Sequence, residues 1–299
     1  HALPIFHTHG LFVALNTAML AGAKVNFIPK FDVDEVIKTL HASTLLMGVP
    51  TFYTRLLSDN RLTRKLTKNM RLFISGSAPL LSETHEEFTK RTGHHILERY
   101  GMTETNMITS NPYHGERRPG TVGKSLADVE MKITDPETGK EMAEGDIGMI
   151  EVRGPNVFKG YWNMPDKTAL ELRETGYFIT GDLGKLSSDG YLSIVGRHKD
   201  LIISGGYNVY PKEIEDILNE INQFSETAVF GIPDNDLGER VVSAIVLKNN
   251  KNFNQSKIEV FVNKKLARYK QPKEYFVLDA LPRNSMGKVQ KNELRKRFS

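Results

Sequence analysis

The chain has 299 residues, enough for two or three domains each with its own core. Its 39% hydrophobic and 25% charged content is that of an ordinary globular protein, which excludes a disordered or fibrous chain, and no apolar run reaches the roughly 18 residues of a membrane span. Cysteine is absent, so disulfides, thiolate metal sites and a cysteine nucleophile are excluded. The net charge of +4 is mild, but basic residues crowd between Lys264 and Arg297, where only Glu274, Asp279 and Glu293 oppose them. Such a surface attracts polyanions, whether nucleic acid, a nucleoside triphosphate or coenzyme A, or is simply a solvated helix face.

The opening residues, His1 to His7, lack an initiator Met, a basic region and a signal-like apolar stretch. They begin inside a strand-like run, so an upstream segment is expected. Ala23 to Ile28 reads as a strand. Asp32 caps a helix, with Glu35 completing a capping-box pattern. Thr44 to Met47 is a short strand, and Pro50 opens a helix carrying Phe52, Tyr53, Leu56 and Leu57. Leu72 to Ile74 is a strand, Ser82 caps the next helix, and His95 to Leu97 is another strand. Repeated βα units predict a parallel sheet with helices on both faces, and such sheets bind ligands beyond the carboxyl ends of their strands. Two loops lie there: Ser75-Gly76-Ser77-Ala78-Pro79 and Tyr100-Gly101-Met102-Thr103-Glu104-Thr105.

From about residue 120 to 195, short alternating strands separated by Asp135–Gly139 and Ser188-Asp189-Gly190 predict a small β-barrel or distorted sheet. A compact α+β segment follows, with a helix from Pro211, strands through Val229, Val241, Ala244 and Val246, a helix from Lys257 and a strand at Tyr275 to Leu278. The expected class is therefore α/β: a partial doubly wound parallel sheet and a barrel-like subdomain in residues 1–199, then a small, mobile α+β domain in 200–299. Residues 249–256 read as a polar loop without assignable chemistry.

Five short motifs occur in order: Ser75 to Leu80, Tyr100 to Thr105, Thr180-Gly181-Asp182, Gly196-Arg197-His198-Lys199-Asp200 and Pro282-Arg283-Asn284-Ser285-Met286-Gly287-Lys288. Together they resemble the superfamily of acyl-CoA synthetases, peptide-synthetase adenylation domains and luciferases, over essentially the whole chain. The resemblance implies an acid–thiol ligase using ATP, Mg²⁺ and coenzyme A through an acyl adenylate. It implies Glu104 as the Mg²⁺ ligand and Thr103 as a hydroxyl for phosphate. Lys288 would stabilise charge on the α-phosphate as pyrophosphate leaves. Gly76, Ser77 and Ala78 would line adenine with Tyr100 stacked on it, alongside Gly101 and Met102. Asp182 would accept from the ribose hydroxyls, and Arg197 would serve ribose and phosphate oxygens. Lys199 would be the hinge about which the C-terminal domain turns between half-reactions, and Ser204, Gly205 and Gly206 would line the pantetheine channel.

The stretch Met47 to Arg55, with Leu97 to Met107, further resembles malonyl-CoA synthetases. That implies Arg55 as the guanidinium for the distal carboxylate of malonate or a related small acid, helped by Ser77 and His7. A fatty-acid tunnel would pay roughly 3–5 kcal/mol for such an unpaired buried charge. The family's Ser/Thr/Gly-rich phosphate loop is not in this sequence and is expected upstream. Alternatives are a ligase for methylmalonate or a fatty acid, and an inert module that keeps nucleotide or coenzyme A binding. Neither a specific nucleic-acid partner nor a membrane span is expected. A cytoplasmic location fits, and a mitochondrial matrix is equally open.

Overall fold

A computed structural model describes residues 1–248, 253–284 and 287–299. Ser285 and Met286 of the last motif, and residues 249–252 of the polar loop, lie outside the described residues. The chain divides into two compact units, one of residues 1–180 and 184–194, the other of 181–183 and 195–299. Among the described residues no helix is long and apolar enough to cross a membrane.

The first unit opens with a π-helical segment, His9–Asn16, that continues as α1 (Thr17–Leu20). Ala23 to Ile28 is extended but forms no ladder; it is tied to the chain start by Ile28 N–H to His1 O and the His1 amine to Asn26 O, both 2.8 Å. Helix α2 (Val33–Leu40) starts where the Asp32 carboxylate accepts the Glu35 N–H at 3.0 Å. Glu35 turns instead to Lys38, so the capping box is half made. Strand β1 (Leu45–Gly48) leads into α3 (Pro50–Leu57), whose proline supplies a preset φ in the first turn. Strand β2 (Leu72–Ser75) follows, then α4 (Ser82–Thr92), closed by Gly93 in the left-handed region, and β3 (Leu97–Met102).

Strands β1, β2 and β3 pair in parallel. Period-two alternation sorts their side chains. Leu46 and Phe73 join Val36, Ile37, Leu40, Tyr53, Leu56 and Phe88 under α2, α3 and α4, while Met47, Leu72, Ile74 and Leu97 meet on the other face. Beyond β3 the direction reverses: β4 (Asn106–Ser110) returns antiparallel to β3, and β5 (Lys124–Ser125) adds to β4.

Strands β6 (Glu130–Thr134), β7 (Gly148–Arg153), β8 (Phe178–Leu186) and β9 (Leu192–Arg197) form a second sheet, with α5 (Pro165–Glu171) between β7 and β8. Its order, β6-β7-β8-β9, is open, so the expected barrel is an open sheet. The reason is visible in its core. Ile133, Ile150, Val152, Phe178 and Leu192 pack with Tyr100 and Ile108 of the β3–β4 hairpin, so the apolar face is covered without closure. Glu151, fully buried on β7, is held by the Thr134 hydroxyl (2.8 Å), the Arg173 guanidinium (2.6 Å) and Lys132 (3.5 Å).

The second unit is α+β. It contains β10 (Ile202–Ser204), β11 (Tyr207–Val209), α6 (Pro211–Asn219), β12 (Phe224–Asp234), β13 (Gly238–Leu247), α7 (Gln255–Asn263), β14 (Glu274–Leu278) and α8 (Lys291–Phe298). The sheet runs β11-β10-β13-β12, with β14 parallel to β13. Val229, Val241 and Ile245 face Ile214, Leu218, Ile258 and Val262; Ala228, Phe230 and Val242 face Leu294 and Phe298. Helices therefore cover both faces.

Candidate active site

In the first unit the two loops marked by the sequence meet the N-terminal helical segment. Ser77 follows the buried strand β2 and Gly76, and its backbone sits at φ 69°, a left-handed conformation unusual for a residue with a Cβ. Its Oγ lies 3.0 Å from His9 Nδ1. His9 is buried; burial first, then the charges of His7 and Arg99, lower its pKa from 6.5 to about 4, so the imidazole is neutral at pH 7. His9 N–H also donates to His7 Nδ1 at 3.2 Å. A Cβ on Gly76 would lie 3.4 Å from both the Arg99 carbonyl oxygen and His9 Cε1, so glycine keeps this approach close. Ala78 continues the same loop.

The motif Tyr100 to Thr105, expected as a loop, ends strand β3 at Met102 and makes the turn of the β3–β4 hairpin. A bulge between Tyr100 and Gly101 turns the strand. A side chain on Gly101 would put its Cβ 1.9 Å from the Asn106 carbonyl oxygen, so only glycine fits. Tyr100 is buried in the core shared with the second sheet. Met102 packs against that core, and its carbonyl accepts the Thr105 N–H at 3.2 Å. Thr103 Oγ1 is 3.4 Å from Thr8 Oγ1, which brings the hairpin tip to the N-terminal segment. The Tyr161 hydroxyl lies 3.2 Å from Glu104 Oε1 and 2.5 Å from Glu171 Oε2, and the Glu104 carbonyl accepts the Phe158 N–H at 2.8 Å. Burial, then the carboxylates of Glu171 and Glu104, push the Tyr161 phenol up, so it keeps its proton. Arg55 lies on the exposed face of α3.

The second unit holds the remaining motif residues. Asp182 is buried, and its Oδ1 accepts Arg197 Nε at 2.7 Å. Lys199 is exposed in a single 3₁₀ turn, His198–Asp200, whose Asp200 is paired with Arg295 at 3.0 Å. Ser204 is buried at the end of β10; Gly205 and Gly206, at φ 56° and 80°, make the two-residue turn into β11 that needs positive φ at both positions. Lys288 is exposed, its backbone fixed by Lys288 N–H to Asn284 Oδ1 and Asn284 N–H to Lys288 O, both 3.0 Å.

Residues 1–162 match the family described as AMP-binding enzyme, and residues 213–288 match the AMP-binding enzyme C-terminal domain. The chain belongs to the AMP-binding enzyme family. It is 39% identical over 327 residues to a malonate–CoA ligase of Arabidopsis thaliana, covering 99% of this chain and 53% of that protein. It is 37% identical over 295 residues to a long-chain-fatty-acid–CoA ligase of Bacillus subtilis, covering 98% and 52%. The ATP-bound crystal structure of MatB from Rhodopseudomonas palustris superposes with a TM-score of 0.98 at 56% identity, covering 100% of this chain and 59% of that one. The chain thus spans about half the length of the curated relatives it matches.

Within this AMP-binding enzyme, sequence reasoning passed over two features. Arg99 is half-buried beside His9, burial lowers its pKa, and its buried Nε has no hydrogen-bond partner. In sequence it is a charged residue beside Glu98, with nothing to announce burial. Tyr161, in the β7–β8 connection, reaches Glu104, and Glu171 reaches the same hydroxyl, a proximity no spacing rule reveals.

Proposed function

We propose that the protein is an AMP-forming acid–CoA ligase whose acid is malonate. A malonate oxygen attacks the α-phosphorus of ATP and pyrophosphate leaves with the bond electrons; the coenzyme A thiol, losing its proton, then attacks the acyl carbon and AMP departs. Catalysis of this kind is positioning and charge neutralisation. Glu104, with one carboxylate at a hairpin tip and the Thr103 hydroxyl beside it, fits Mg²⁺, which takes one or two carboxylates and keeps water and phosphate oxygens. When bound, that ion neutralises phosphate charge. Thr103 contacts phosphate. Gly76, Ser77, Ala78, Tyr100, Gly101 and Met102 form the nucleotide wall. Asp182 receives the ribose hydroxyls, already oriented by Arg197. Lys288 delivers a cation to the α-phosphate, Lys199 is the hinge at a boundary between residues 199 and 200, and Ser204, Gly205 and Gly206 give passage to pantetheine.

Arg99 carries the choice of acid. A half-buried guanidinium whose buried Nε lacks a partner is a costly neighbour for an alkyl chain and a ready one for a second carboxylate. It supports a dicarboxylate pocket near His9, His7 and Ser77. Arg55, exposed on α3, is the other cation proposed for this task. The relatedness to a malonate–CoA ligase favours the reading, and the fatty-acid ligase at 37% identity keeps a monocarboxylate as the second one.

The test compares Arg99→Met and Arg55→Met by pyrophosphate release with malonate, methylmalonate, acetate and octanoate. Loss of a buried charge pair, about 2–5 kcal/mol, predicts that Arg99→Met lowers kcat/KM for malonate by at least about 30-fold and spares octanoate. Unchanged malonate selectivity in both variants, or preference of the unaltered protein for octanoate, would overturn the dicarboxylate assignment.

A further inference from the structure

The turn and helix from Phe158 to Glu171 belong to none of the five motifs, yet they meet Glu104 at both its main chain and its side chain. Phe158 N–H donates to the Glu104 carbonyl at 2.8 Å. Tyr161 Oη lies 3.2 Å from Glu104 Oε1 and 2.5 Å from Glu171 Oε2. The ring itself is fixed: it meets Phe158 edge-on at 4.8 Å, and the Tyr161 N–H donates to Thr168 Oγ1 at 2.9 Å.

A phenol has one proton to donate and so satisfies one carboxylate at a time. The shorter contact marks Glu171 as the acceptor of a charge-assisted hydrogen bond. With its proton directed to Glu171, the phenol gives no hydrogen bond to Glu104 Oε1, so that oxygen keeps its lone pairs for a cation. Lys167 does not supply it there, because its Nζ lies over the Tyr161 ring, 3.9 Å from the centroid. Glu104 is half-exposed, which leaves its Oε1 accessible to a cation.

We propose that Tyr161 and Glu171 are positioning residues for a divalent cation at Glu104: the ring of Tyr161 walls one side of the carboxylate, and Glu171 engages the phenol's proton so that Glu104 Oε1 is left for the ion. This rests on Glu104 being the Mg²⁺ ligand. Partners of this kind, which orient a ligand without touching the metal, change metal affinity by roughly 10–100-fold when removed.

The experiment uses purified protein with ATP and Mn²⁺ as the probe, reading protein-bound Mn²⁺ by electron spin resonance and, separately, the Mg²⁺ concentration that half-saturates ATP–pyrophosphate exchange. Glu104→Gln, Tyr161→Phe and Glu171→Gln are compared. The expected result is severe loss of binding in Glu104→Gln and about tenfold weaker binding in the other two, with exchange largely recovered at saturating Mg²⁺. Weak binding in Glu104→Gln with unchanged affinity in Tyr161→Phe and Glu171→Gln would overturn the positioning role and leave Glu104 as ligand. Unchanged affinity in all three would overturn the ligand assignment and the inference with it. Should Tyr161→Phe fail to fold, Glu171→Gln, on the half-exposed end of α5, carries the test alone.

Discussion

His9 gives the most direct test of the site's electrostatics. Its pKa falls from 6.5 to about 4 because the ring is buried beside His7 and Arg99. In the unfolded chain His9 gains a proton near pH 6.5, and in the folded protein only near pH 4. Between those values the unfolded state binds more protons, so stability rises with pH. The contribution is complete above about pH 6.5 and is lost as pH falls towards 4. Each pH unit between the unfolded and folded midpoints is worth about 1.4 kcal/mol, so the full loss is ~3 kcal/mol. Replacing His9 by Asn places a side-chain amide near the Nδ1 position, within reach of Ser77, without a titrating group. Urea unfolding followed by circular dichroism, from about pH 7 to about pH 4.5, should show the unaltered protein losing ~3 kcal/mol more than His9→Asn. Imidazole proton resonances should place the His9 midpoint far below those of exposed histidines. A His9 midpoint near 6.5, or parallel stability curves for the two proteins, would refute the burial and charge reasoning together.

Gly101→Ala should cost several kcal/mol, because its Cβ would lie 1.9 Å from the Asn106 carbonyl oxygen; a melting temperature within a few degrees of the original would show that the hairpin tip adapts. Arg173→Met leaves Glu151 buried with only Lys132 and Thr134, and should destabilise the second sheet by about 3 kcal/mol in chemical denaturation. Lys288→Ala should slow ATP–pyrophosphate exchange by about 10²–10³-fold, while thioester formation from supplied acyl adenylate stays near its original rate. Equal loss in both steps would count against a role confined to adenylation.

What the sequence made legible was chiefly local. Pro50 and Pro211 begin helices because their fixed φ is already helical, and Asp32 caps α2 because its carboxylate reaches the next turn's N–H. Ser75 to Pro79 was legible as the loop leaving β2, whereas Tyr100, Gly101 and Met102, read as a loop, complete strand β3, with Gly101 required by a contact no other residue permits. Non-local pairing was hidden. Ala23 to Ile28 has strand-like composition but meets no strand edge, and Tyr100 to Thr105 turns back as a hairpin because Asn106–Ser110 pairs with β3. The open second sheet follows from cover by Tyr100 and Ile108, residues far from it in sequence. Arg99 and Tyr161 show the same limit at the site: their meaning comes from burial and from a neighbour's single proton, neither of which is written in spacing.

The turn at Gly205 and Gly206 has a consequence for the order in which the second unit assembles. Strands β12 and β13 form a long hairpin joined beyond Asp234↔Gly238, whose loop closes at little entropic cost. The β10–β11 hairpin joins that platform through the single ladder pair Ser204↔Gly238 and the Gly205 N–H to Leu237 O bond of 2.8 Å. Ile202 and Val209 anchor it in the core and Ile203 N–H donates to Glu239 Oε2 at 2.9 Å, but its main-chain ladder to the platform is shorter than that between β12 and β13, so its amides should exchange with solvent deuterium before theirs. The segment proposed for pantetheine is thus tied to its sheet by fewer main-chain bonds than the strands beneath it.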